Sequence, residues 1–391
     1  MRVVVNELAT LGRRTGVGHY TAELVRCLRR LTPPATITGF PDPIIRRVRQ
    51  AWSWLRRRRA APGGGVPGGG VLHNHGRSVL RHYFRALTRL RGFDLYHEPN
   101  FLPLPCDLPT VATLHDLSVL LHPEWHPIDR VAAYERDFRD GLARTTHVIT
   151  VSEFARQEMI RILGLRPDQV TRVYNGVRPG LCPLPPAETA AGLRRLGLPP
   201  EYLLYLGTLE PRKNLVVLMR AYCGLPEALR RRFPLLLVGG WGWRAEGVAD
   251  YLESVGRAHG VRHVGYVADE HLPLLYNGAR ALAFPSLYEG FGLPPVEMLA
   301  CGGAVLASTA GAVAETAGGA GHLIDPQDED GWREALRRVC TSEEWWQSLR
   351  RNAVTAARPF TWERSAADTL AVYCDVLGLS AAAEPPGRLA A

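Results

Sequence analysis

The stretch from Ala281 to Gly302, ALAFPSLYEGFGLPPVEMLACG, constrains this chain more than any other. Its apolar opening reads as a buried strand that breaks at Pro285-Ser286. A loop with Gly290 and Gly292 follows, and Pro294-Pro295 lead into a helix, where proline suits the first turn. Such a corner turns loop amides and a helix start toward one point, which favours an anion. Two glutamates sit in it with seven residues between them, Glu289 at the strand exit and Glu297 in the first helical turn. An unpaired carboxylate within PPVEMLA is costly to bury, so Glu297 needs a partner. A vicinal diol matches a carboxylate's two acceptor oxygens, which points to a sugar. An ordinary strand-loop-helix corner would look the same in isolation.

Around this stretch the chain alternates strands with helices, the pattern of a parallel sheet covered on both faces. Residues 2–8 read as a buried strand, and ATLGRRTGVGHYT places Gly12, Gly16 and Gly18 before a helix from Tyr20 to Leu31. Glycines there let a backbone approach a ligand closely. They make a poor dinucleotide fingerprint, because Thr21 stands where the third glycine or alanine belongs and no acidic residue follows at the expected distance. That weighs against a nicotinamide-dependent oxidoreductase. Strands FDLYH and TVATLHD, a helix over 129–143, the strand HVITVS and a helix over 153–163 follow. His115 falls at the carboxyl end of its strand, the edge where open α/β sheets bind ligands. A fresh series starts at Glu201: YLLYLG leads through TLEPRKN into a helix with Asn214 as its N-cap, so Arg212 and Lys213 stand at a helix N-terminus, as a diphosphate would require.

With 391 residues there is room for two domains. The readings give an N-terminal domain over 1–180, a proline-rich connection over 181–200, a second domain over 201–358, a helix over 359–378 and a loose tail over 379–391. Seven scattered cysteines, never spaced CxxC, argue for reduced thiols and against a disulfide framework or a zinc site. The pairs His73/His75 and His122/His126 lack acidic or cysteine companions, so no metal is expected. MRVVVNELAT reads as a strand and not a leader, and no apolar run reaches the roughly 18 residues of a membrane span. The expected location is cytoplasmic. The formal charge is +9 at pH 7, and seven arginines within residues 44–59 leave only +2 elsewhere. As a helix, that segment puts Ile44, Ile45, Val48, Ala51, Trp52 and Leu55 on one stripe opposite Arg46, Arg49, Ser53 and Arg57. This suits an anionic membrane surface and peripheral attachment; a solvated face packed on its own domain is the alternative. No nucleic-acid reader motif accompanies the charge. The basic arm is followed by a glycine-rich spacer, completing an insert over 44–70.

Together YLGTLEPRKN, FPSLYEGFGLPPVEMLACG, VITVSEF and TLHD resemble the group-1 glycosyltransferases, glycosyltransferase family four, over roughly residues 1–375. The resemblance implies the GT-B fold, two Rossmann-like domains facing across a cleft, and a retaining, metal-independent transfer of a hexose from a nucleoside diphosphate sugar. GTLEPRKN and the Gly-Trp pair at 242–243 are similar to the bacterial branch that passes mannose or a related hexose onto saccharide or lipid-linked oligosaccharide acceptors for surface polysaccharide. GDP-mannose is then the expected donor. By position, Glu289 matches the glutamate that holds donor-sugar hydroxyls and Glu297 the one that binds the ribose. Gly290, Phe291 and Gly292 match the loop whose amides bond sugar and diphosphate. Lys213 matches the phosphate lysine, His115 a histidine near the reacting carbon, and Gly16 and Gly18 the glycine loop beside the diphosphate. Thr208 stands where the family commonly has arginine, so either Arg212 supplies the second cation or the diphosphate is held more weakly. A sugar-nucleotide epimerase and a non-enzymatic sugar-nucleotide-binding module share the architecture and remain as rivals.

Overall fold

The computed structural model describes residues 1–11, 16–31, 35–41 and 70–379. The basic arm 44–59, the spacer up to residue 69 and the tail from 380 lie outside the described residues. Among those described, no helix is long and apolar enough to cross a membrane, and all seven cysteines are free.

Mostly from short apolar runs, the described residues build twelve strands: β1 (Arg2–Asn6), β2 (Thr36–Phe40), β3 (Leu95–Glu98), β4 (Thr110–Leu114), β5 (His147–Thr150), β6 (Val170–Arg172), β7 (Tyr202–Leu206), β8 (Leu235–Val238), β9 (Val261–Gly265), β10 (Ala279–Phe284), β11 (Val305–Ser308) and β12 (His322–Ile324). They form two six-stranded sheets, ordered β2-β1-β3-β4-β5-β6 and β12-β11-β10-β7-β8-β9. Every pairing is parallel. Central strands such as β4 and β7 are buried along their whole length, as helices on both faces require. In each sheet the strand order reverses once, beside β1 in the first and beside β7 in the second. Ligands bind outside the carboxyl ends of strands at such reversals. In the second sheet β7 runs out toward Arg212-Lys213 and its neighbour β10 toward Glu289, so topology alone sets these side chains side by side.

At the reversal in the first sheet, Asn6 ends β1 and Glu98 ends β3. The Glu98 carboxylate accepts from Asn6 Nδ2 (2.6 Å), the Tyr96 hydroxyl (2.6 Å) and the Asn100 amide (3.0 Å), with no cation among these partners. Burial pushes this carboxyl up from 4.5 to about 7. The folded chain therefore holds this proton more tightly than the unfolded one. Its contribution is complete below pH 4.5 and is lost as the pH rises through about 7, a difference on the order of 3 kcal/mol. Between these pH values the stability of the wild type should fall relative to Glu98→Gln. Parallel Tm profiles for the two proteins would remove Glu98 from the pH dependence.

Two segments pass between the sheets. The stretch 181–200, read above as a proline-rich connection, carries a helix, Pro186–Arg195, with Glu188 in its first turn and Arg194 and Arg195 in its last, as its dipole favours. Gly192 lets it lie on Leu274, because a Cβ there would fall 2.5 Å from that side chain. The helix Trp362–Val376 returns to the first sheet: Trp362 packs edge-on to Tyr20, with centroids 5.9 Å apart, and the Tyr373 hydroxyl bonds His97 Nδ1 at 2.6 Å. Gly176 permits this crossing, since a Cβ would come within 2.3 Å of the Trp362 amide nitrogen.

Candidate functional site

Beyond β7 the chain makes one tight turn, Pro211–Lys213, before the helix Leu215–Cys223. Asn214 stands at the N-cap position of that helix, as expected, but its side chain makes no capping bond there. It takes a left-handed φ of 56°, and its Nδ2 donates to the carbonyls of Pro285 (3.2 Å) and Pro326 (2.6 Å). With the Leu287 amide donating to the Arg212 carbonyl at 2.8 Å, these bonds lash the cationic turn to the exit of β10. Lys213 Nζ then donates to Glu289 Oε1. Arg212 Nε donates to Glu210 Oε1 at 2.6 Å, and its Nη1 lies 3.3 Å from Asp116 Oδ2 and 3.9 Å from Glu289 Oε2. Two cations thus face three carboxylates. Burial would raise the Glu289 carboxyl, but Lys213 and Arg212 hold it below its usual range; burial would raise Asp116 too, and Arg212 with Ser118 brings it down. Glu289 and Asp116 are thus poised as anions. Arg212 stands beside Lys213 as a second cation of this cluster.

The loop after Glu289 is shaped by close approaches. A Cβ on Gly290 would lie 1.9 Å from the His115 carbonyl oxygen, so only glycine lets the second sheet's loop meet the exit of β4. Gly292 takes φ 86° and sits just before the helix Leu293–Ala300, whose first turn holds the prolines. Among the described residues the amides of Gly290, Phe291 and Gly292 donate no hydrogen bond, while the Gly290 carbonyl accepts from Ser152 Oγ at 2.7 Å. Three N–H groups are thus left for an acceptor from outside. The Phe291 side chain turns inward against Phe360 and contributes packing, not contact.

Glu297 is the fifth residue of its helix, one turn later than expected, and is fully buried. Its Oε2 accepts from the Tyr276 hydroxyl (2.6 Å) and Arg178 Nη1 (3.1 Å), while Oε1 has no partner among the described residues. Burial raises its carboxyl despite the Arg178 guanidinium. One oxygen is anchored and the other is left for a donor such as a diol hydroxyl.

From the first sheet, His115 donates Nε2–H to the Pro99 carbonyl at 2.9 Å, with Tyr20 edge-on at 4.7 Å. Burial keeps the ring neutral, which leaves Nδ1 as an acceptor. Gly16 and Gly18 lie in the first turn of a helix, Gly16–Leu28, not ahead of one, and residues 12–15 of the glycine loop lie outside the described residues. Further contacts hold the two sheets' loops together. Glu315 accepts from the Glu153 amide (2.8 Å), the Phe154 amide (2.9 Å) and the Tyr174 hydroxyl (2.8 Å), so a carboxylate of the second half caps a helix of the first. The Tyr288 hydroxyl bonds Glu158 and accepts from the Leu117 amide. Sequence reasoning missed Asp116, Glu210, Arg178, Tyr276 and Glu315. Asp116 and Glu210 stood beside residues already singled out; Arg178 is 119 positions from Glu297 and gave no signal. Among the described residues no group of three or more His, Cys, Asp or Glu side chains is placed to hold a metal.

Two family models match the chain: glycosyl transferases group 1 over residues 194–358, and glycosyltransferase family 4 over residues 14–181. Over 298 residues it is 36% identical to the O-antigen chain mannosyltransferase B of Escherichia coli, spanning 75% of this chain and 78% of that one. Over 315 residues it is 29% identical to the serotype-specific mannosyltransferase WbdA of Escherichia coli, again 75% of this chain but 38% of that longer protein. Among solved structures it resembles HepE of Anabaena in complex with UDP and glucose, with a TM-score of 0.68 at 20% identity over 95% of this chain and all of that one. It also resembles WaaG, a glycosyltransferase involved in lipopolysaccharide biosynthesis, with a TM-score of 0.70 at 16% identity, over 94% of this chain and 99% of that one. At such identities these structures bear on the fold, which is GT-B.

Proposed function

The chain belongs to the group-1 glycosyltransferases of family four, and from that premise we propose that it transfers mannose from GDP-mannose, with retention, to a saccharide or lipid-linked acceptor in O-antigen-type polysaccharide assembly. One observation carries the reading: Lys213 and Glu289 meet at the strand reversal of the second sheet, and the loop that follows them at Gly290 closes on the backbone of His115. The choice of mannose follows the two curated mannosyltransferases.

Lys213 now neutralises Glu289, and on donor binding the partners exchange. A phosphate oxygen takes the ammonium, and the freed Glu289 carboxylate accepts from hydroxyls of the sugar. Glu297 Oε1 accepts from a ribose hydroxyl, and the amides of 290–292 bond the diphosphate. Cleavage of the anomeric carbon–phosphate bond builds positive charge on the sugar and negative charge on the leaving diphosphate. Lys213, Arg212 and the amides answer the second, and groups preorganised for developing charge are worth about 3–4 kcal/mol each. The departing phosphate oxygen takes the acceptor's hydroxyl proton while the acceptor oxygen attacks the same face of the sugar. His115 accepts from a sugar hydroxyl and fixes its orientation. The leaving-group charge falls wholly on side chains and amides, so no resident metal is needed. The basic arm 44–59 would bring this cleft to the anionic membrane face at which a lipid-linked acceptor lies.

Incubating the protein with a panel of nucleoside diphosphate sugars and an oligosaccharide acceptor should release GDP from GDP-mannose fastest, give a product with the donor's anomeric configuration by NMR, and proceed unchanged in EDTA. Release of UDP in preference would reject the donor, an inverted product the stereochemistry, and loss of rate in EDTA the metal-free reading.

A further inference from the structure

A second cavity, of about 500 Å³, lies where the segment leaving β6, the start of the helix Trp362–Val376 and the end of the helix Gly16–Leu28 meet. Its walls carry four guanidinium groups, Arg26, Arg30, Arg178 and Arg358, against one carboxylate, Glu363. Arg26 is bonded to Glu23 (2.7 Å) and Arg178 to Glu297 (3.1 Å), whereas Arg30 and Arg358 pair with no side chain among the described residues. Two buried donors on residues lining this cavity find no acceptor among the described residues: Arg178 Nε, and the indole N–H of Trp362, a residue 3% exposed. Native interiors rarely leave such donors unpaired. The fifteen-residue helix that opens at Trp362 adds its positive end. A tetrahedral oxyanion supplies acceptors to several forks and amides at once, where a planar carboxylate serves one fork.

We propose that this cavity is a binding site for a phosphoryl group, and that Arg178 couples it to the donor site. Arg178 lines the cavity while its Nη1 is engaged by Glu297, so a phosphate held at this wall bears on the same group that holds the ribose-binding carboxylate. The coupling rests on the donor-site reading above; the binding does not. Occupancy tightens the hold on the nucleoside diphosphate, and by reciprocity the nucleoside diphosphate tightens the hold on phosphate. The phosphoryl group belongs either to a small free anion or to a lipid headgroup.

Equilibrium dialysis with radiolabelled inorganic phosphate tests this, using wild type, Lys213→Ala and the double variant Arg30→Ser/Arg358→Ser, with and without GDP. The expected result is binding kept in Lys213→Ala and weakened about tenfold or more in the double variant, since charge-assisted bonds are the ones removed. Flotation on phosphatidylcholine vesicles with and without phosphatidic acid gives the second arm. If free phosphate does not bind but phosphatidic acid floats the wild type better than the double variant, the source is a headgroup. Identical behaviour of double variant and wild type in both arms overturns the site, as does phosphate binding lost only in Lys213→Ala, which would place the anion in the cleft. Phosphate binding indifferent to bound GDP overturns the coupling. A protein that binds no GDP at all would sink the donor reading while the dialysis still decides the cavity.

Discussion

Lys213→Ala should lower kcat/KM by about two orders of magnitude, the loss for one group preorganised toward developing charge. The structure adds a complication. Lys213 is a buried ion-pair partner, with side-chain exposures of 8% for it and 9% for Glu289, so its removal leaves an anion in a protein interior whose one remaining cationic partner among the described residues is Arg212, at 3.9 Å. Breaking such a pair from one side costs roughly 3–5 kcal/mol, which would lower Tm as well as turnover. The double variant Lys213→Ala/Glu289→Gln separates the two effects. Its buried amide needs no counter-ion, so Tm should recover much of the loss, while kcat/KM stays at or below the single variant's value. Recovery of turnover together with Tm would show that Lys213 served the fold alone.

How far the sequence disclosed this site depends on whether a residue's partner lies near it in the chain. Lys213 and Glu289 were legible because each lies in the turn that leaves a strand, and strand exits at a sheet reversal converge whatever separates them. Gly290 and Gly292 were legible because a loop of that shape calls for glycine. The partners of Glu297 were not: Tyr276 sits in the helix before β10, and Arg178 lies beyond the last strand of the first sheet. Asn214 was placed rightly at the N-cap, but its bonds were not legible, because its amide is drawn to two carbonyls brought close only by the fold. β2, TITGF, escaped notice because it is an edge strand, half-exposed and with no continuous apolar run. The helix Pro186–Arg195 hid in a proline-rich stretch because its prolines stand at the start, where they favour a helix.

Gly290→Ala tests the closed arrangement itself. The backbone at Gly290 is not left-handed, so alanine is locally tolerated, and the obstruction comes from the other half of the molecule: a methyl group would lie 1.9 Å from the His115 carbonyl oxygen and 2.9 Å from Asp116 Cβ. The loop and the β4 exit must then part by more than an ångström. Asp116 moves away from Arg212 and the Ser152 bond to the Gly290 carbonyl stretches, while Lys213, Glu289 and Glu297 keep their own partners within the second half or at its border. Misplacement on that scale costs about a hundredfold in rate. The expected phenotype is therefore a kcat/KM reduced about a hundredfold, a Kd for GDP close to that of the wild type, and faster hydrolysis of the donor relative to transfer as water enters the cleft. Small-angle scattering with GDP bound should report a wider particle than the wild type. Wild-type transfer by Gly290→Ala would mean that the reacting enzyme does not bring His115 and the 289–292 loop into contact, and the assignment of His115 to the transferred sugar would fall with it.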